Sequence, residues 1–134
     1  MNPEWWPYLL GAVLLIVLPV FFWLSLRTDR RFRKELSSRS PLGDSEFVRT
    51  YYADSDIAPD IPIRLRPIYA DFFELDHLKL VPSDRPPGIV EVDNAPLVEA
   101  IESEFDVKIS DSAAEQIDGS FQSIVDFLGE ATAA

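Results

Sequence analysis

The apolar residues of this chain come first as one unbroken run and then as short periodic stripes. From Trp5 to Leu26 the sequence reads WWPYLLGAVLLIVLPVFFWLSL, 22 residues without a formal charge. At a helical rise of about 1.5 Å per residue, such a run crosses a hydrocarbon core of about 30 Å, so the pattern predicts a single transmembrane helix. Trp5, Trp6 and Tyr8 at one end and Trp23 at the other fit the aromatic belts of the membrane interfaces. Pro19 removes one backbone donor and predicts a kink of the kind membrane helices tolerate.

After residue 26 the spacing changes. RTDRRFRKE is charged, and ELSSRSPLGD is polar with Pro and Gly, so residues 27–43 read as a basic juxtamembrane segment and linker. A helix over 45–55 follows, capped by Asp44 or Ser45, with Phe47, Val48, Tyr51 and Tyr52 as its apolar stripe. The next helix takes Asp60 as its cap and buries Leu65, Ile68, Tyr69 and Phe72, while Pro67 predicts a late start or a kink. HLKLVPSDRPPGIVEVDN lacks any helical period and reads as an ordered loop whose Leu78, Leu80, Val81, Ile89 and Val90 cover the core. Asp93 and Asn94 ahead of Pro96 mark another helix start, with Leu97, Val98, Ile101 and Phe105 on its inner face. A short helix capped by Ser110 or Asp111 comes next. The last helix, capped by Ser120, carries Phe121, Ile124, Val125 and Leu128 at full i, i+3, i+4, i+7 spacing. No run alternates like a strand. The expected architecture is all-α: one N-terminal transmembrane helix over 1–26, then a helical domain over 44–130 with an extra short N-terminal helix, and a tail over 131–134.

Charge gives this picture a direction. Residues 1–40 hold six Lys or Arg against three acids, while residues 41–134 hold six against twenty. Glu4 precedes the apolar run, whereas Arg27, Arg30, Arg31, Arg33 and Lys34 follow it directly. The excess of positive charge on the C-terminal side predicts a single-pass protein with its N-terminus outside and its domain in the cytoplasm. The same cluster suits anionic headgroups, at about 1 kcal/mol per basic residue near the surface. A cleaved signal peptide would need a basic start, a shorter apolar stretch and a small-residue cleavage site, which are absent. Nucleic acid is not expected as a partner, because the acidic domain repels phosphates. The chain has no cysteine, which excludes a disulfide framework, a thiolate metal site and a thiol nucleophile.

The order of elements from Asp60 to Leu128 resembles the acyl carrier protein family, small helical bundles that bind phosphopantetheine. The specific part is LVEAIESEFDVKISDSAAEQIDGSFQSIVDFL, residues 97–128, which follows the family's acidic helix, Ile-ending turn, short DxxAE helix and closing helix. The resemblance implies a four-helix bundle. In the family, a serine in an Asp-Ser-Leu motif at the start of the acidic helix is esterified with 4'-phosphopantetheine. Counting back without a gap, Asp93 falls on the acid after that motif, Val92 on the leucine and Glu91 on the serine. A carboxylate cannot form the phosphodiester. Ser83 precedes prolines and Ser103 lies inside the helix, so neither replaces it. The resemblance therefore implies a carrier-like fold without cofactor.

Carriers of this family present the acidic helix to basic partners, which assigns Glu99, Glu102, Glu104 and Asp106 to a partner-binding face. From Glu91 onward eleven acids face one basic residue, Lys108, a field that steers basic proteins toward this end of the chain. The bland reading of the same acids is a solvated helix face. No enzyme chemistry is expected. His77 stands alone, and DSDIAPD lacks the Gly and terminal Glu of a calcium loop. The expected function is a membrane-anchored interaction module that docks a basic cytoplasmic protein. The alternatives are a working membrane-tethered carrier and a structural subunit of a membrane complex.

Overall fold

A computed structural model describes residues 3–87 and 95–133. Six α-helices follow one another: α1 Trp6–Ser37, α2 Asp44–Tyr51, α3 Asp60–Phe73, α4 Ala95–Phe105, α5 Asp111–Gln116 and α6 Phe121–Ala133. Two single turns of 3-10 helix, Pro3–Trp5 and His77–Lys79, complete the regular structure, and there is no strand among the described residues.

The core is made by the predicted stripes, except that Tyr51 of the first of them is exposed. Phe47 and Tyr52 come from α2 and its end, Leu65 and Tyr69 from α3, Leu97, Ile101 and Phe105 from α4. All four stripe residues of α6 are buried, while Ile68, Phe72 and Val98 are half-buried at its margin. Aromatic rings set the centre. Phe121 meets Phe47 and Tyr69 edge-on, with ring centroids at 6.1 Å and 5.6 Å, the geometry in which ring edges meet ring faces favourably. The Tyr69 hydroxyl, whose pKa burial pushes up, donates to the Gly119 carbonyl at 2.7 Å. Gly119 holds φ 89°, a conformation open to glycine but costly for a side chain.

Several helix ends differ from expectation. Gly43 and Pro59 occupy the N-cap positions of α2 and α3, and neither Asp44 nor Asp60 caps through its side chain. Asp60 instead stands in the first turn, 3.5 Å from Arg64. The helix α3 starts before Pro67 and continues through it, so there is no late start, and Pro67 is exposed. Ser110 and Ser120 cap α5 and α6 as expected, accepting from the amides of Ala113 and Ser123 at 3.2 Å each. Of the loop residues expected over the core, Leu80 is buried and Leu78 and Val81 are half-buried. Ile89, Val90, Asp93 and Asn94 lie outside the described residues.

The largest difference concerns α1. It is the one described helix long and apolar enough to cross a membrane, and its apolar stretch is exposed throughout. The helix runs through Pro19 and past residue 26 to Ser37, so most of the segment expected as linker over 27–43 is helix. RTDRRFRKEL has no Gly or Pro and is rich in good helix formers, and the change from apolar to charged is not a stop signal.

Candidate functional site

At about 100° per residue, the charged end of α1 carries two interleaved stripes. Asp29, Phe32, Arg33 and Leu36 share one face, and Arg27, Arg30, Arg31 and Lys34 share another, the two centred about 160° apart. The first stripe meets the domain. Leu36 is buried, and Phe32 lines a groove of about 260 Å³ with Phe72, Phe73, Pro86 and Pro87. Arg33 pairs with Asp29 at 3.1 Å and donates to the carbonyls of Phe73 and Glu74 at 3.2 Å and 3.1 Å. Those carbonyls are free because α3 ends there, with Glu74 in the left-handed region at φ 56°. A cation at a helix C-terminus also meets the negative end of the helix dipole.

Beyond Ser37 the chain remains strapped to the domain. Lys79 donates through Nζ to the Ser37 carbonyl at 3.0 Å, and the Leu42 amide donates to the Leu78 carbonyl at 2.8 Å. Arg39 reaches Asp84 at 2.7 Å and Glu35 at 3.3 Å. The hydrogen bond to Asp84 holds the Arg39 guanidinium above its ordinary pKa. Asp84 is buried, and the same carboxylate oxygen accepts from the Val81 amide at 2.9 Å. Arg66, fully buried in α3, closes the strap by donating to the Leu42 carbonyl at 2.9 Å and to Asp44 at 3.1 Å. Its guanidinium lies 4.1 Å from the centre of the Phe47 ring, and burial pushes its pKa down.

The second stripe has no hydrogen bond or ion pair to the domain among the described residues. Arg27, Arg30, Arg31 and Lys34 are all exposed, and Arg27 stacks over Trp23 at 5.4 Å. Trp5, Trp6, Tyr8 and Trp23 are exposed along the same helix. Of the five basic residues read as a membrane-facing group, Arg33 is therefore turned inward to the joint and the other four stay together.

The acids of α4 also divide. Glu99 and Asp106 are exposed, and Asp106 ends the helix at φ 51°. Glu104 is exposed but paired with Arg64 of α3 at 3.0 Å; Arg64 also donates to the Glu104 carbonyl and stacks on Phe105 at 4.5 Å. Hydrogen bonding to Glu104 holds the Arg64 guanidinium above its ordinary pKa. Glu102 is half-buried and turns back to accept from the Ile109 amide at 2.9 Å, bracing the turn before α5. Glu91 and Val92, the positions on which the carrier motif was counted, lie outside the described residues. His77 is exposed, and no group of metal-ligating side chains occurs among the described residues.

No protein-family model matches this chain, and neither curated proteins nor solved structures show a match. The likeness to acyl carrier proteins rests on the sequence pattern alone. The joint between α1 and the domain was missed by sequence reasoning, although it left a signal: Phe32 and Leu36 are the apolar residues of a charged stretch, at i and i+4.

Proposed function

We propose that this protein is a membrane-anchored, acyl-carrier-like interaction module that presents its acidic helix to a basic cytoplasmic protein without carrying phosphopantetheine. The observation that carries the reading is the unbroken helix from the apolar stretch to Ser37, fastened to the domain through Arg33, Leu36 and Arg39. A domain held this way has a fixed station at the membrane surface. Pro87, beside the apolar flank of α1 formed by Phe21, Phe22 and Leu24, supports a placement hard against the bilayer. The four basic residues on the far side of α1 then face anionic headgroups, and their position after the span favours an outside N-terminus.

The order α3, long loop, α4, α5, α6 supports the carrier-like arrangement. Glu99 and Ser103 on α4, and Asp106 just past its end, are exposed and form the free part of the acidic face. Glu104 adds its partly neutralised charge, and Glu102 supports the turn behind it.

A photo-reactive residue at Ser103 of the full chain, activated in native membranes, tests the docking. The expected result is a discrete protein adduct that disappears when Glu99→Lys and Asp106→Lys are combined. An adduct unchanged by that reversal overturns the docking face. An intact mass increased by one phosphopantetheine overturns the absence of the prosthetic group and makes the protein a working carrier.

A further inference from the structure

On the side of the domain formed by the α2–α3 connection and the end of α6 lies an open groove of about 580 Å³. Its floor is apolar, made of Ile57, Ala58, Ile61, Gly129 and Ala133. Gly129 lets the connection approach closely: a β-carbon there would stand 3.3 Å from Ile57 Cγ1, tighter than packed atoms prefer. The rim is acidic, with Asp56 on one bank and Asp126 and Glu130 on the other. None of these three carboxylates pairs with a Lys or Arg among the described residues, and none of the lining residues is basic.

One rim carboxylate is held in position. The buried Tyr52 hydroxyl donates to Gln122 Oε1 at 2.7 Å, and Gln122 Nε2 donates to Asp126 Oδ1 at 2.8 Å. Burial pushes the Tyr52 pKa up, so it remains a donor at neutral pH. The relay fixes Asp126 at the edge of the groove and leaves its second oxygen to solvent. An apolar trough between uncompensated, oriented carboxylates is complementary to an apolar side chain flanked by cations.

We infer that this groove is a second docking site, which takes a partner-protein segment carrying one large apolar side chain between lysines or arginines. The apolar side chain seats over Ile57 and Gly129, and the flanking cations meet Asp126 and Glu130 on one side and Asp56 on the other. The inference is independent of the acidic face of α4, because no residue of α4 lines the groove. Acids elsewhere on the domain are exposed too, but a rim of unpaired carboxylates around an apolar floor discriminates against basic peptides that lack the apolar anchor.

The test uses the full chain in phosphatidylcholine nanodiscs and an array of short synthetic peptides. Each has a central Leu, Phe or Trp flanked by Lys and Arg; matched peptides replace the centre by Gly or the flanks by Glu. Only the apolar-centred basic peptides are expected to bind well. Asp126→Asn with Glu130→Gln, two exposed positions, should weaken them roughly tenfold or more, as loss of oriented charge pairs does. Ala133→Trp, which obstructs the trough from its open end, should do the same without a charge change, while Glu99→Lys on α4 should leave binding within about twofold. Equal binding by Gly-centred peptides, insensitivity to both groove variants, or no binding by any basic peptide overturns the inference. Loss only with Glu99→Lys overturns it as well and assigns the peptides to α4.

Discussion

Arg39 places its guanidinium 2.7 Å from Asp84, whose side chain is 4% exposed while that of Arg39 is 21% exposed. The strap between α1 and the domain depends on this pair, because the Arg39 fork also reaches the Lys79 carbonyl and Glu35. Removing one member leaves a buried charge without its counter-ion, at a cost of about 3 kcal/mol, the lower end for such pairs. Arg39→Ala is expected to lower the denaturation free energy of the full chain by that amount, and Arg39→Lys by less, as measured by chemical unfolding. A loss below about 0.5 kcal/mol, typical of a surface substitution, would contradict a buried pair. Nothing in the sequence announced it. Spacing rules see partners three or four residues away, and Asp84 lies 45 residues on. Glu102 shows the same limit: its helical position reads as outward, yet the long side chain curls back to the Ile109 amide.

Helix termini were legible in part. Local chemistry made the caps of α5 and α6 legible, since a serine oxygen before an apolar stripe satisfies amides that the helix itself leaves open. It failed at α2 and α3, where Gly43 and Pro59 stand one residue ahead of the acids. At the start of α6 the cap is doubled. Ser120 Oγ accepts from the Ser123 amide, and the Ser120 amide donates to Asp118 at 2.8 Å. Hydrogen bonds from the Ser120 hydroxyl, and then from its amide, hold the Asp118 carboxyl at about 2, below its ordinary 3.8. A carboxylate whose folded value is depressed stabilises the fold fully above its unfolded value. The contribution of Asp118 is thus complete above pH 3.8 and is lost as the pH falls through 2. Ser120→Ala should raise the Asp118 midpoint toward 3.8 in a carboxyl NMR titration and cost about 1 kcal/mol at neutral pH. A midpoint that stays near 2 would show that the serine is not the cause.

For the whole molecule, the pattern of the chain exposed the long apolar helix, the all-helical domain and the split of charge between them. It did not expose their junction, because a polar stretch with Pro and Gly nearby reads as a spacer whether or not it packs. The two stripes of α1 fix which side of the helix the domain occupies. Inserting one alanine between Arg27 and Thr28 turns everything beyond it by about 100° relative to the apolar stretch while leaving the joint intact. Spin labels at Leu24→Cys and Asp71→Cys should report a changed distance in the insertion variant, with the thermal midpoint of the domain unchanged. An unchanged, broad distance distribution would mean that a hinge interrupts the helix.

A helix that passes from its apolar stretch to the domain without a break also has the geometry of a crankshaft. If α1 rolls about its own axis, the domain, mounted off-axis on the stripe of Leu36, sweeps sideways. The groove at Gly129 and the outer face of α4 are then carried along an arc, and a small torsion of the apolar stretch becomes a displacement of whole surfaces beyond it.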